Sequence, residues 1–576
     1  MVLWTLVDTA KEAVAQAKED HKTDSPIVDP NTNNSTDNKI SIAVAKQFLS
    51  ETCPYFLTSK AGQDEDRLVK VGRSIADLIE ISTDDTIRSA LETIVDQCDV
   101  LGKGNLKVPK VRFGKTEIQM PIVTLGCMRF QQTWAPTITN LKVGDNVLQE
   151  CQDNLYEILK YSVQELGINH IETANMYGSS EIQLGEVFER LFKPESGIKR
   201  EDVIIQTKVN CFDAETFRKT LEDSFSKLKL DYIDLFSFHG VNYYKQYDLM
   251  FNNQDGENLM DIAKEYQAKG KIRHVGFSSH AQPELIAKCI KSDAFSYANI
   301  HLHAFGSYTA SGGGMEGGNL ECARLMKERD MGIFIISPYD KGGRLYAPSK
   351  KLRSLTLPEF EPINYGSLYL FHHESLDEQS CPAHTIVCGA ARPSDLDEPA
   401  YAAHLFAARK EETLAKVKSV KDRLNQAMVD THGEEWAKTW HHGLPNCNGD
   451  DKIDPIGQLV WLYNIIKAYG MWEFAKDRYG TFDSNFKGWD STLSNEENIQ
   501  KKYIMWGYMP GVAYDGGKDY SEVLKDVPDQ NKEKVLDAMK FVHKFCSNTV
   551  TEKGEIPDEW TTAFDMRPWT AFPERK

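Results

Sequence analysis

The sequence predicts an α/β fold of the (β/α)8 TIM-barrel type, with a helical extension before the barrel and a mostly helical domain after it. Eight short apolar segments follow one another between Ile122 and Cys388, and helical segments separate most of them. Repeated strand–helix units imply parallel strand pairing, and eight of them close most simply into a barrel. A doubly wound open sheet is the alternative, but no G-x-G-x-x-G follows the first strand.

Composition limits the class of protein. At 576 residues, with 41% hydrophobic and 26% charged residues, the chain has room for two or three globular units. The net charge of −18 argues against a nucleic-acid partner. No apolar run is long enough to span a membrane, and the start does not resemble a signal or transit peptide. The eleven cysteines are scattered without a C-x-x-C pair, so we expect a cytoplasmic protein with free thiols.

The N-terminal part is predicted to be helical. Residues 1–20 indicate a short amphipathic helix, and residues 21–40, rich in Asn, Thr, Asp and Pro, indicate a flexible linker. A helical region is expected over residues 41–104. In it, Thr83 or Asp84 would cap a helix with one apolar face, made of Ile87, Leu91, Ile94, Val95 and Cys98. No chemistry is visible in this region.

Residues 107–425 are predicted to form the barrel. A hairpin over residues 111–123 comes first. The eight predicted strands then cover residues 122–125, 168–171, 203–208, 232–239, 272–278, 297–303, 332–337 and 385–388.

Polar residues stand where successive strands end. Glu172 follows the second strand, with Tyr177 on the next loop, Lys208 ends the third strand and His239 ends the fourth. A lone lysine there is more often a surface terminus, and a lone histidine a satisfied core group. In a barrel, however, the carboxyl ends of the strands converge on one mouth, where catalytic groups lie. The placement of four such groups at the ends of successive strands therefore favours a proton-transfer site.

These residues lie in segments that resemble the aldo-keto reductase family. The matching segments are I-N-H-I-E-T-A-N-M-Y-G-S-S-E-I-Q-L-G (168–185), I-I-Q-T-K (204–208), D-Y-I-D-L-F-S-F-H-G (231–240), G-K-I-R-H-V-G-F-S-S-H (270–280), I-I-S-P-Y-D-K-G-G-R-L-Y (335–346) and V-C-G-A-A-R-P-S-D-L-D-E (387–398). In that family an Asp–Tyr–Lys–His tetrad works on a bound nicotinamide. The resemblance places its last three members at Tyr177, Lys208 and His239, with Glu172 instead of Asp, as in a larger bacterial-type branch.

The resemblance implies an NAD(P)H-dependent oxidoreductase that reduces a carbonyl group by hydride transfer. Tyr177 would act as general acid, and because a phenol has a pKa near ~10, it needs the adjacent charge of Lys208. Glu172 would hold Lys208, and His239 would orient the carbonyl oxygen.

The resemblance also implies a set of cofactor-binding residues: Gly126, Met128, Ser278, Ser279, Ser337, Lys341, Gly389, Ala390, Arg392, Asp395 and Glu398. Ser279 replaces the asparagine of a Ser-Asn pair, Ile336 stands where a tyrosine commonly stacks on nicotinamide, and Pro399 replaces a common asparagine. NADPH is expected to be preferred over NADH, because Arg392 could pair with the ribose phosphate.

Residues 426–576 are predicted to form a mostly helical, tryptophan-rich domain that caps the barrel. Residues 440–464 are similar to the tail of reductases that carry a cysteine-ligated iron–sulfur cluster. Only Cys447 remains of the expected ligands, so no cluster is expected. His441 and His442 could bind a metal with Cys447, but an exposed loop is favoured, and no metal site is predicted.

Two alternatives stay open. A non-catalytic barrel that binds nucleotide, or nothing, and serves in an assembly would also account for Glu172, Ser279 and Ile336. A TIM-barrel lyase or hydrolase is more remote, because no paired-carboxylate or metal constellation is visible. The resemblance implies a small carbonyl compound as substrate without naming it, and the sequence does not predict the oligomeric state.

Overall fold

The computed structural model describes residues 5–21, 36–81, 84–128, 130, 147–305, 318–376, 381–445, 453–487, 490, 492–494, 497 and 511–563. Thr83, Cys447, most of the predicted linker and the tryptophans at positions 489, 506 and 569 lie outside these residues. The tryptophans of the C-terminal part that are described are Trp436, Trp440, Trp461, Trp472 and Trp560.

The described residues of the N-terminal unit form the helices α1 (Thr5–Asp20), α2 (Thr36–Thr52), α3 (Pro54–Thr58), α4 (Glu65–Ile81) and α5 (Asp84–Gly102). They share one apolar core, in which Phe48, Leu78 and Leu91 are fully buried. Helix α2 begins at Thr36, within the predicted linker. The apolar residues of α2 start at Ile40, and its first turn is polar, which is why the pattern placed this boundary too late.

The strands among the described residues are β1 (Lys110–Arg112), β2 (Gln119–Pro121), β3 (Val123–Gly126), β4 (His170–Glu172), β5 (Ile204–Asn210), β6 (Ile233–His239), β7 (Ile272–Ser278), β8 (Tyr297–Ile300), β9 (Gly332–Ile335) and β10 (Thr385–Gly389). Strands β1 and β2 form the predicted antiparallel hairpin. Strands β3 to β10 form a closed parallel barrel, with β10 paired to both β3 and β9. The predicted barrel is therefore confirmed.

Helices surround the barrel. They are α6 (Gln149–Lys160), α7 (Ser180–Leu191), α8 (Ala214–Leu228), α9 (Tyr244–Phe251), α10 (Leu259–Ala268), α11 (Pro283–Lys291), α12 (Asn319–Glu328), α13 (Lys350–Thr356), α14 (Pro362–Phe371), α15 (Asp397–Ala408) and α16 (Lys410–His432). The predicted domain boundary at residue 425 falls inside α16, so this helix continues from the barrel into the C-terminal part.

The C-terminal part contains α17 (Glu434–Thr439), α18 (Ile456–Tyr469), α19 (Trp472–Lys487) and α20 (Asp529–Cys546). It packs on loops that follow barrel strands: the indole N–H of Trp461 donates to the carbonyl of Phe305 at 3.0 Å, and Arg344 pairs with Asp477 at 2.7 Å. Within the described ranges no helix is long and apolar enough to cross a membrane.

Candidate active site

Neighbouring strands bring the predicted catalytic residues to one end of the barrel. Glu172 is the last residue of β4, Lys208 lies near the end of β5, and His239 is the last residue of β6. Lys208 lies opposite Ser237 of β6, so its side chain is two residues below the level of His239. Because all three strands run in parallel, these side chains share the mouth of the barrel.

Tyr177 reaches the same mouth from the loop between β4 and α7. The amide of Asn175 in this loop donates to the carbonyl of Lys208 at 3.0 Å, which ties the loop to β5. The amide of Tyr177 donates to Ala174, and Gly178 follows with φ +55, a conformation that favours glycine. The turn thus fixes the backbone on both sides of the tyrosine.

The four side chains meet. The Lys208 ammonium contacts the Glu172 carboxylate, donates to the carbonyl of Thr173 at 2.7 Å and lies 4.7 Å from the centre of the Tyr177 ring. The rings of Tyr177 and His239 meet edge to face, with 5.6 Å between their centres. Lys208 and Glu172 are buried, whereas Tyr177 is half-buried, so the phenol stands between the buried ion pair and the opening.

Burial controls the charges of these groups. It lowers the pKa of Lys208 well below the ordinary value, while the contacting Glu172 carboxylate favours the charged ammonium. Burial, together with the charges of Lys208 and Lys341, lowers the pKa of His239 to about 3. His239 is therefore a neutral imidazole at pH 7, and its buried Nδ1 has no hydrogen-bond partner within the described residues.

A chain of histidines beside the mouth was not predicted. Nδ1 of His280 lies 2.6 Å from Nε2 of His301, and Nδ1 of His301 lies 3.3 Å from Nε2 of His303. Burial lowers the pKa of His280 and of His301, and the nearby charge of Lys341 acts in the same direction. The predicted strand over residues 297–303 placed the histidines at positions 301 and 303 on one face, which was a signal for this chain, although β8 itself ends at Ile300. Lys341, predicted to bind cofactor, stands next to these rings.

The predicted residues on the other loops are also close to the mouth. Gly126 ends β3 beside Glu172, Met128 follows it half-buried, and Ser337 follows β9 with φ +53. The hydroxyl of Ser278 accepts from the amide of Gly240 at 3.0 Å.

The hydroxyl of Ser279 serves its own loop. It donates to the carbonyl of Val241 at 2.7 Å and accepts from the amide of Ala281 at 3.0 Å. Only 1% of Ser279 is exposed.

The loop after β10 holds the remaining predicted cofactor residues. Gly389 is exposed and Ala390 is buried. The carboxylate of Asp395 accepts from the backbone amides of Ala391 at 2.9 Å and of Arg392 at 3.1 Å, so it already occupies the amides that could bind an anion. Burial raises the pKa of Glu398.

Three donors in this loop lack a protein acceptor. Nε and Nη2 of Arg392 and the hydroxyl of Ser394 are buried, and none of them has a hydrogen-bond partner in the described part of the chain. The nearest carboxylate oxygen to Arg392 Nε belongs to Asp395, at 3.5 Å. Buried donors of this kind fit an anionic group such as a phosphate.

No group of three or more His, Cys, Asp or Glu side chains among the described residues has the arrangement of a metal site. His441 and His442 are in contact with each other, with 4.6 Å between ring centres, while Cys447 lies outside the described ranges. The ten described cysteines are buried thiols.

Residues 123–344 match the model of the Aldo/keto reductase family. Among curated relatives, the chain is 32% identical over 136 residues to the mouse Aldo-keto reductase family 1 member C13, covering 21% of this chain and 42% of the relative. It is 29% identical over 132 residues to a D/L-glyceraldehyde reductase of Hypocrea jecorina, covering 21% and 40%. The matches thus span less than half the length of these relatives.

Among solved structures, the chain is similar to an aldo-keto reductase from Klebsiella pneumoniae in complex with NADPH. It is 15% identical, has a TM-score of 0.39, and the match covers 54% of this chain and 95% of that one. The aldose reductase from Schistosoma japonicum is 16% identical with a TM-score of 0.36, covering 54% and 91%. The barrel assignment itself rests on the strand order described above. Over residues 123–344, which include strands β3 to β9, the chain is similar to the Aldo/keto reductase family.

Proposed function

We propose that the protein is an NAD(P)H-dependent oxidoreductase that reduces an aldehyde or ketone at the barrel mouth. The observation that carries this proposal is the meeting of Tyr177 with the Lys208–Glu172 ion pair and the neutral His239. A phenol beside a cation suits proton transfer to a developing alkoxide, and an imidazole beside both can direct the oxygen.

The residues present fit a nicotinamide nucleotide. The Arg392 and Ser394 donors that have no hydrogen-bond partner among the described residues would hold its phosphate end, and the mouth residues Gly126 and Ser278 would face its other end. When bound, a dihydronicotinamide supplies the hydride that reduces the carbonyl carbon.

The chain's own residues would then handle the proton. The hydroxyl of Tyr177 donates it to the carbonyl oxygen, and the ammonium of Lys208 stabilises the phenolate that remains. Glu172 holds Lys208 in place and favours its charged form, which burial disfavours. His239, neutral at pH 7, offers an N–H that positions the carbonyl oxygen without competing as an acid.

NADPH is proposed as the preferred cofactor. A guanidinium binds a ribose phosphate bidentately, and NADH lacks that phosphate. The carboxylate of Asp395, close to Arg392, works against this preference. Arg392→Ala should weaken the binding of NADPH and leave NADH unchanged, as measured by titration, and an equal loss for both cofactors would contradict the assignment.

The rival proposal is a barrel that binds nucleotide without catalysis. It is favoured by Ser279, whose hydroxyl is engaged within its own loop, and by Ile336 at the position of a stacking tyrosine. The two proposals are separated by titrating the protein with NADPH and NADH and by following NADPH consumption with small aldehydes, quinones and diketones. Turnover supports the reductase, binding without turnover supports the rival, and the absence of both would contradict each of them.

The other expectations stay predictions. They are the absence of an iron–sulfur cluster from a tail that resembles those of iron–sulfur reductases, a cytoplasmic location, a small-molecule carbonyl substrate and no nucleic-acid partner. The oligomeric state is open.

A further inference from the structure

The N-terminal helical unit docks on the loop that carries the predicted phosphate-binding residues. Arg67 of α4 pairs with Asp397 at 2.6 Å and 3.2 Å, across 330 positions of sequence, and both side chains are buried. Lys70, one turn further along α4, donates to the carbonyl of Ser394 at 3.0 Å and pairs with Glu398 at 3.7 Å. These contacts fix helix α4 against the loop after β10.

Arg392 is engaged by the same helix. Its Nη1 pairs with Asp66 at 2.7 Å, on the first turn of α4. The side chain of Asp66 is 29% exposed, whereas that of Arg392 is 11% exposed. The carboxylate therefore contacts the guanidinium from the solvent-exposed side. The remaining donors, Nε and Nη2, are the ones without a hydrogen-bond partner within the described residues.

Asp66 binds Nη1 of the guanidinium, directly beside the Nε and Nη2 donors that would hold a ribose phosphate. A phosphate brought next to Asp66 would also meet its negative charge, and like charges at this range repel. Asp66 can turn towards solvent, while Arg67 and Lys70 hold the rest of the helix in place.

We propose that Asp66 is a specificity-determining residue of the nucleotide site, supplied by the N-terminal unit, which competes with the 2′-phosphate of NADPH for Arg392. This inference rests on the proposed function, in particular on Arg392 as the phosphate-binding residue. The 2′-phosphate of NADPH meets the negative charge of Asp66 when it approaches Arg392, whereas NADH carries no such phosphate. The N-terminal unit therefore reduces the preference for NADPH that Arg392 creates.

The test compares Asp66→Asn with Glu65→Gln in the full chain. Glu65 is exposed on the same turn of α4, so its change removes an equal charge without touching the ion pair to Arg392. A partly exposed ion pair contributes about 1 kcal/mol, so Asp66→Asn should tighten NADPH about fivefold. NADH affinity should be unchanged in both variants, and Glu65→Gln should leave NADPH affinity unchanged.

Titrations of adenosine 2′-phosphate and adenosine 5′-phosphate, by calorimetry, read the phosphate subsite without any reaction. Asp66→Asn should tighten the 2′-phosphate alone, and the gain should vanish in the Arg392→Ala background. A melting curve for each variant shows that it is folded.

An Asp66→Asn variant that binds NADPH like the wild type, or that gains equally for NADH, would overturn the inference. So would the failure of every nucleotide to bind both proteins, which would overturn the proposed function as well. Selective tightening of the 2′-phosphate ligands in a protein that reduces no carbonyl compound would sustain the inference and contradict only the proposed catalysis.

Discussion

Glu181 is a buried carboxyl group behind the Tyr177 loop. It lies in the first turn of α7 and is 2% exposed. It accepts hydrogen bonds from Thr207 at 2.6 Å, Ser224 at 3.1 Å and Asn175 at 3.1 Å. Burial raises its pKa from 4.5 to about 7 despite these bonds.

This shift makes the stability of the fold depend on pH. Below about pH 4.5 the carboxyl is protonated in both the folded and the unfolded chain, and its titration does not lower the free energy of unfolding. Between pH 4.5 and 7 the unfolded chain releases its proton first, so the fold loses stability as the pH rises. Above pH 7 the loss is complete and amounts to about 3 kcal/mol, from ~1.36 kcal/mol per pKa unit.

Glu181→Gln removes the titration and keeps the shape of the group. The difference in the free energy of unfolding between the variant and the wild type should grow by about 2–3 kcal/mol from pH 5 to pH 8, in favour of the variant. The measurement is the difference in melting temperature between the two proteins at each pH, with the exposed Glu195→Gln as control. A gain that is equal at both pH values, or larger at pH 5, would refute the reasoning.

Three further predictions concern the site and the tail. Lys208→Met should lower kcat by roughly 10²–10⁴-fold, because the phenolate loses its cation, and a kcat within tenfold of the wild type would contradict this role. Glu172→Asp should lower the rate if the longer carboxylate is a working variant, because the shorter side chain misplaces Lys208, and a raised rate would mark Glu172 as a degraded relic. Iron and sulfide assays on anaerobically purified protein should find no stoichiometric cluster, since one cysteine cannot replace the usual four, and matching iron and sulfide would refute this.

The barrel was predictable because its strands and helices can each be recognised from a short stretch of sequence. Each strand is a short apolar run, such as residues 204–205 of β5, and the helices between the strands carry apolar stripes such as that of Phe217 and Leu221. The mouth was predictable for the same reason: once the strands are parallel, the polar residues at their ends must converge.

Long-range contacts were not predictable. Nothing near Arg392 in the sequence indicates that Asp66 pairs with it, because the docking of the N-terminal unit depends on tertiary packing. The long-range contact of Asp454, next to the start of α18, was not predictable either. Its position before Pro455 indicates a cap, but its carboxylate pairs with Lys518 at 2.6 Å, and α18 begins without a side-chain cap.

The central claim is that Tyr177 is the acid of a carbonyl reduction, and one comparison tests it most directly. Tyr177→Phe keeps the ring and removes the hydroxyl, so kcat should fall by roughly 10²–10⁴-fold while NADPH affinity barely changes. Tyr232→Phe is the matched control, because the buried hydroxyl of Tyr232 has no hydrogen-bond partner among the described residues. Its kcat should equal that of the wild type. Reductase activity that survives Tyr177→Phe as well as it survives Tyr232→Phe would contradict the account.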